Sequence, residues 1–99
     1  MIAKYREIKA NEPDIYNFKE GQLNSLGYTF LQGGNFDAAI AVLKLNVEEY
    51  PNSFNVYDSL GEAYMLKGDK VNAILNYEKS LELNPDNENA RNMISKMNQ

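Results

Sequence analysis

The chain has 99 residues, with 14 acidic and 10 basic side chains, no cysteine and no histidine. This length suits one small domain with a thin hydrophobic core. The formal net charge of −4 disfavours nucleic acid and anionic membranes as partners, because both need a basic surface. Without cysteine or histidine, disulfides, zinc-thiolate sites and the commonest general base are excluded, and we expect no metal, no cofactor and no enzyme activity.

The longest apolar run, "AAIAVL" at 38–43, is far too short to span a membrane. The first residues alternate charged and apolar side chains and lack the apolar core of a signal peptide. We therefore expect a soluble protein of the cytoplasm or the periplasm, with any export signal lying outside this chain.

The start of the chain predicts a helix over residues 2–10. The stretch "KYREIKANEP" (4–13) resembles "NYEKSLELNP" (76–85) further along, with Tyr5 falling on Tyr77 and Pro13 on Pro85. This first helix is therefore interpreted as the second half of an earlier repeat, followed by a short insertion at "DIYNF" (14–18). A start in mid-repeat indicates that the chain follows another element or was cut from a longer protein.

Residues 23–53 and 57–87 align without a gap at a constant offset of 34 residues. Apolar side chains at helical spacing predict two helices in each copy, at 19–32 and 36–49 and then at 54–67 and 70–83. Gly34 and Gly68 lie where a left-handed residue ends a helix at low cost.

Two further glycines, Gly27 and Gly61, lie inside predicted helices, where each costs about 1 kcal/mol relative to alanine. We interpret them as allowing close approach of the second helix of each pair, with Ala39 and Ala73 as the small counterparts. The alternative is a glycine that makes room for a ligand.

The last predicted helix covers residues 87–97, and Ala90, Met93, Ile94 and Met97 form its apolar face. We interpret it as a capping helix over the last repeat, since solenoids need one. The alternative, a membrane-surface helix, has only two basic residues in its favour. The asparagines of "NPDNENARN" (84–92) are interpreted as helix caps and turns.

The repeated pattern resembles the tetratricopeptide repeat, whose signature is W-x2-L-G-x2-Y, then A-x3-F, then P. Tyrosine and leucine stand where the family prefers tryptophan, and Ser80 and Asn46 stand where it usually has alanine, which suggests slightly looser packing. The matching residues are Leu23, Leu26, Gly27, Phe30, Ala39, Leu43 and Pro51 in the first copy and Tyr57, Leu60, Gly61, Tyr64, Ala73, Tyr77 and Pro85 in the second.

This resemblance implies an all-α fold, a solenoid of antiparallel helix pairs forming a single domain over 1–99. Residues 1–19 form the half repeat with its insertion, and residues 88–99 form the capping helix. The two full repeats, called repeat 1 and repeat 2 below, cover 20–53 and 54–87.

The resemblance also implies a concave groove, lined by the first helix of each pair, that binds a peptide or protein segment. The family's chaperone-binding members clamp a peptide carboxylate with Lys and Asn, whereas Asp58 and Glu62 here would repel one. A neutral-to-basic or apolar peptide is therefore expected. The groove positions are Gly21, Asn24, Tyr28, Leu31 and Gln32 in repeat 1 and Asn55, Asp58, Glu62, Met65 and Leu66 in repeat 2.

Some of these residues have alternative interpretations. Asp58 and Glu62 could form a solvated helix face, or a carboxylate pair for catalysis or metal, although nothing near them supplies a nucleophile or a third ligand. Tyr28 and Leu31 could be an exposed anchor for a partner, or could pack against the insertion at 14–18.

Almost the whole chain also looks like the C-terminal tail of bacterial serine hydrolases of the beta-lactamase-like and esterase types. The phrases "LNSLGY", "LNVEEYPNS" and "NVYDSLGEAY" carry this resemblance, and no catalytic residue of such an enzyme lies in them. Two hypotheses follow: a non-enzymatic module that binds a peptide or protein, or a structural tail that packs on a catalytic domain or self-associates as a homo-oligomer.

Overall fold

The computed structural model describes residues 19–98. The described part contains five α-helices and no strand: α1 (Glu20–Gln32), α2 (Phe36–Glu49), α3 (Phe54–Lys67), α4 (Lys70–Leu83) and α5 (Glu88–Met97). The all-α prediction is confirmed for these residues. The bounds of α2, α3 and α4 are those predicted, and α1 and α5 each begin one residue later. The predicted helix over 2–10 and the insertion at 14–18 lie outside the described residues.

Side-chain caps and glycine turns set the helix ends. Asn35, Asp69 and Asn87 are the N-caps of α2, α4 and α5, and each accepts a hydrogen bond from the backbone N–H three residues later. Gly34 and Gly68 adopt φ values of 78° and 94°, a left-handed conformation that glycine reaches without steric cost. The two turns between the paired helices could therefore be predicted from these glycines.

The helices stack in chain order into an elongated molecule with extents of 46 × 27 × 18 Å. Each helix packs mainly on its neighbours along the chain, and α1 makes a smaller contact with α3. This arrangement is the helix-pair solenoid that the sequence predicts. It places α1 and α3, the first helices of the two repeats, side by side. Within residues 19–98, no helix is both long enough and apolar enough to cross a bilayer.

The hydrophobic core lies between the two helix pairs and combines residues from α1, α2, α3 and α4. Three of its eight buried members are alanines, whose small side chains allow close helix approach. Its buried members are Leu31, Ala39, Ile40, Leu43, Leu60, Ala63, Tyr64 and Ala73.

The two polar substitutions in the repeat pattern join the paired helices by hydrogen bonds. Asn46 and Ser80 are both fully buried. The amide of Asn46 donates to the carbonyl of Glu20 at 3.1 Å, and the hydroxyl of Ser80 donates to the carbonyl of Phe54 at 2.8 Å. Each side chain thus ties the end of the second helix of a pair to the start of the first.

The glycines inside α1 and α3 allow close helix approach, as predicted, and the nearest atoms belong to a large side chain of the second helix. A Cβ on Gly61 would lie 3.0 Å from the Tyr77 ring, and one on Gly27 would lie 2.6 Å from Cδ2 of Leu43. The glycines therefore accommodate the large side chain of the second helix. Ala39 and Ala73, on the second helices, are fully buried in the core.

Candidate binding surface on α1 and α3

The first helices of the two repeats are joined by a hydrogen bond between predicted groove residues. The Tyr28 hydroxyl donates to Oε1 of Glu62 at 2.8 Å, from α1 to α3. The two residues occupy the same repeat position, 34 residues apart. Because both side chains are only partly buried, the pair is open to solvent on one side.

Partial burial is the main reason that the pKa of Tyr28 is raised to about 12. The hydrogen bond to Glu62 and the negative charges of Glu62 and Asp58 raise the pKa further, while a hydrogen bond with Ser59 opposes them. Burial, and then the same two carboxylates, also raise the pKa of Tyr77. Tyr28 therefore remains a hydrogen-bond donor throughout the physiological pH range and orients the Glu62 carboxylate.

Asp58 contacts the start of α5, so its interpretation as part of a solvated helix face is wrong. Its Oδ2 accepts a hydrogen bond from Nδ2 of Asn87 at 2.8 Å, and Nδ2 of Asn89 lies 3.1 and 3.2 Å from its two oxygens. The Asn87 amide also donates to the Ser80 hydroxyl at 2.8 Å. The sequence indicated the capping by Asn87 but not this network, which depends on how α5 docks.

The corresponding residues in repeat 1 make fewer hydrogen bonds. Asn24 is the counterpart of Asp58, and Asn46 is the counterpart of Ser80. Within residues 19–98, Oδ1 of Asn24 and Oδ1 of Asn46 are the two buried side-chain atoms that have no hydrogen-bond partner. We call the set Asn24, Asn46 and Ser53 the first junction, and the set Asp58, Ser80 and Asn87 the second junction.

Leu31 does not belong to the surface, and its assignment to the groove is wrong. It is only 7% exposed and forms part of the core, because it lies on the side of α1 that faces the other helices. Met65, its counterpart in repeat 2, is half-buried and packs on the core. Residues 14–18, which the alternative interpretation placed against Tyr28, lie outside the described part of the chain.

The remaining predicted positions are accessible. Gly21, Gln32, Asn55 and Leu66 are exposed, and Leu66 retains 47% of its surface. The surface therefore consists of the Tyr28–Glu62 pair with polar side chains around it and one exposed leucine. Among the described residues, no group of three or more acidic, histidine or cysteine side chains could hold a metal ion.

Comparisons with protein families match both repeats. Residues 54–87 and residues 25–53 each match a family model described as tetratricopeptide repeat.

Two curated relatives match similar stretches. Human Superkiller complex protein 3 is 37% identical over 60 residues, which cover 61% of this chain and 4% of that protein. Cellulose synthase operon protein C of Escherichia coli K12 is 36% identical over 63 residues, covering 64% of this chain and 5% of that protein. The chain thus spans a small fraction of the length of these relatives. Neither relative tests the resemblance to hydrolase tails, which stays a prediction.

Among solved structures, the first TPR of Spaghetti (RPAP3), bound to the HSP90 peptide SRMEEVD, has a similar fold. Its TM-score is 0.77 at 22% sequence identity, over 99% of this chain and 75% of that chain. This similarity concerns the fold.

Proposed function

Because the chain belongs to the tetratricopeptide repeat family, we propose that it is a protein-interaction module that binds a peptide segment on α1 and α3. The observation that carries the proposal is the partly buried hydrogen bond between Tyr28 and Glu62. It orients a carboxylate between the two repeats before any partner arrives, which lowers the cost of binding. The bound HSP90 peptide named for the structural neighbour supports a peptide as the kind of partner.

The charges favour a neutral-to-basic peptide. Oε1 of Glu62 accepts the hydrogen bond from the Tyr28 hydroxyl. Within residues 19–98, the other carboxylate oxygen of Glu62 accepts no hydrogen bond. A lysine, an arginine or a backbone N–H of the peptide would supply the missing donor. An acidic peptide such as SRMEEVD would instead meet the negative charges of Asp58 and Glu62.

An apolar contact is available one helical turn further along α3. Leu66 follows Glu62 by four residues, so both side chains lie on the same face of the helix. Its 47% exposure offers an apolar surface beside the carboxylate. The proposed ligand therefore combines a cationic or donor group with a neighbouring apolar side chain.

A selection from random displayed peptides tests this proposal, with the parent protein as bait and a Tyr28→Ala, Glu62→Ala variant for counter-selection. We expect selected peptides to be rich in Lys and Arg and poor in Asp and Glu. Calorimetry with a selected peptide should show weaker binding to Glu62→Gln, which keeps the shape and the Tyr28 hydrogen bond but removes the charge. Glu82→Gln, at an exposed site on α4, is the matched control.

Two results would contradict the proposal. One is the recovery of mainly acidic peptides. The other is a selected peptide that binds the parent, Glu62→Gln and the Tyr28→Ala, Glu62→Ala variant with equal affinity. Either result would move the binding surface away from this pair.

A second candidate function, packing on another domain or self-association, is favoured by a different observation. Leu26 is 40% exposed, whereas its repeat counterpart Leu60 is 4% exposed and lies in the core. An apolar residue that is buried in one repeat and open in the other marks a face suited to a further contact. Sedimentation at several concentrations tests self-association, which a concentration-independent monomer mass would rule out.

A further inference from the structure

An open surface cavity of about 270 Å³ lies between the turn joining α3 to α4 and the end of α5. Its lining includes Met65, one of the predicted groove positions, but neither Tyr28 nor Glu62. Two methionines and two lysines line it, together with the turn glycine: Met65, Gly68, Lys70, Lys96 and Met97.

At three of the equivalent positions, the preceding repeat carries buried or partly buried apolar residues. Each lining residue has a counterpart 34 positions earlier: Leu31, Gly34, Phe36, Glu62 and Ala63. Leu31 and Ala63 are buried in the core there, and Phe36 packs against it. Lys70 stands where the preceding repeat has Phe36, so repeat 2 lacks the partly buried aromatic side chain that repeat 1 has at this position.

We propose that this cavity is a binding site for a monocarboxylate with an aromatic or branched apolar body. The apolar walls are Met65 and Met97, whose flexible thioether side chains adapt to ligands of varied shape and make favourable contacts with aromatic rings. A closed cavity of about 150 Å³ holds a benzene ring, so this open cavity of about 270 Å³ has room for one ring, with the carboxylate arm in contact with solvent.

The charge requirement comes from Lys70 and Lys96. The chain as a whole carries a net charge of −4, yet the charged residues that line this cavity are both basic. Two lysines in a lining that is otherwise free of charge favour an anion attached to an apolar group and disfavour a cation. Because neither Tyr28 nor Glu62 takes part, the inference is independent of the proposed function.

Methionine-methyl NMR with 3-phenylpropanoate as the probe tests the site. The methyl signals of Met65 and Met97 should shift on titration, while that of Met93, which is outside the cavity lining, should not. The uncharged analogue 3-phenylpropanamide, with the same ring and arm, should bind about fivefold more weakly. Absence of shifts at Met65 and Met97, or equal affinity for acid and amide, would overturn the proposal.

Substitutions at Lys70 and Lys96 distinguish the contribution of the open volume from that of the positive charge. Lys70→Phe restores the residue found at this position in repeat 1 and should abolish the shifts by filling the cavity, without loss of thermal stability. Lys70→Gln and Lys96→Gln keep the cavity open and should weaken binding of the acid while leaving that of the amide unchanged. If Lys70→Phe bound the acid as well as the parent does, the ligand would lie elsewhere and the proposal would fail.

Two sources of such a carboxylate can be distinguished with one more probe. The tripeptide Gly-Gly-Phe carries the same ring beside a chain-terminal carboxylate. Saturable shifts at Met65 and Met97 with both probes support a peptide C-terminus as the ligand, whereas shifts with 3-phenylpropanoate alone support a small free acid. The Tyr28→Ala, Glu62→Ala variant should bind both probes as the parent does, which separates this site from the surface on α1 and α3.

Discussion

Gly27 and Gly61 occupy the same repeat position but leave different amounts of room. A Cβ would approach the buried Leu43 side chain to 2.6 Å at Gly27 and the Tyr77 ring to 3.0 Å at Gly61. The alignment identified both glycines as close-approach positions. It could not rank them, because the clearance depends on the rotamers of side chains 16 residues further along.

We expect Gly27→Ala to destabilise the protein by about 1–3 kcal/mol, because overpacking outweighs the gain of up to about 1 kcal/mol in helix propensity. Gly61→Ala should cost less, since the ring needs to move by only a few tenths of an ångström. Urea unfolding measures both. Gly21→Ala, where nothing lies within 4 Å of the new Cβ, is the control and should not destabilise. A Gly27→Ala protein more stable than the parent would refute the packing argument.

Tyr28 illustrates what a residue-level prediction can and cannot contain. The repeat offset placed Tyr28 and Glu62 at equivalent positions on neighbouring helices, so their proximity followed from the sequence. The hydrogen bond and the raised pKa did not, because they depend on side-chain conformation and burial. Leu31 was misassigned for the same reason: a family position was carried over without knowing which way this side chain points.

The raised pKa of Tyr28 gives a prediction about alkaline pH. Its ordinary value is about 10, and in the folded protein it is about 12. The stabilisation from the protonated hydroxyl is therefore complete below pH 10 and is lost as the pH rises towards 12. Tyr28→Phe should be less stable than the parent at pH 8 by about 1 kcal/mol, and this difference should shrink by pH 11.5. Urea midpoints at both pH values check it, and a constant difference would contradict the assignment.

At the scale of the helices, the sequence was sufficient for the bounds of α2, α3 and α4, because caps and glycine turns are local signals. The junctions between repeats were less predictable. They combine residues far apart in the chain, as in the network of Asp58, Ser80 and Asn87. The first junction lacks the equivalent of the Asn87 amide, since Ser53 stands in its place and makes no side-chain cap bond.

Ser53→Asn should transfer the second-junction network to the first junction. The new amide would lie near the unpartnered oxygens of Asn24 and Asn46, and its own oxygen could cap α3. Since an unsatisfied buried acceptor costs about 1–3 kcal/mol and a cap contributes about 1 kcal/mol, we expect a gain of about 1 kcal/mol or more in urea unfolding.

The reverse substitution at the second junction is the matched control. Asn87→Ser removes the amide that donates to Asp58 and Ser80, and it should lower stability by about 1–3 kcal/mol. If Ser53→Asn destabilised the protein while Asn87→Ser did so as well, the two junctions would not be equivalent, and the repeat-based comparison behind the prediction would be wrong.

At the scale of the whole molecule, the repeat period alone was enough to predict the order and the stacking of the helices in residues 19–98. In such a stack each helix packs mainly on its neighbours along the chain, so stability is not uniform along the chain. The helix α5 is the last of the described helices, with α4 as its main packing partner and with hydrogen bonds to Asp58 on α3. The stabilisation that the Asp58 hydrogen bonds give to α5 decides whether α5 unfolds locally, without the other helices.

Asp58→Ala tests that dependence. The substitution leaves the amides of Asn87 and Asn89 without their carboxylate partner, so we expect faster amide hydrogen exchange in α5 and the end of α4. Exchange in α1 and α2 should be nearly unchanged, because these helices lie at the other end of the stack. Asn55→Ala, an exposed position one turn before Asp58 on α3, serves as control. A uniform increase in exchange over all five helices would show instead that the described part of the chain opens as a single cooperative unit, with α5 integral to it.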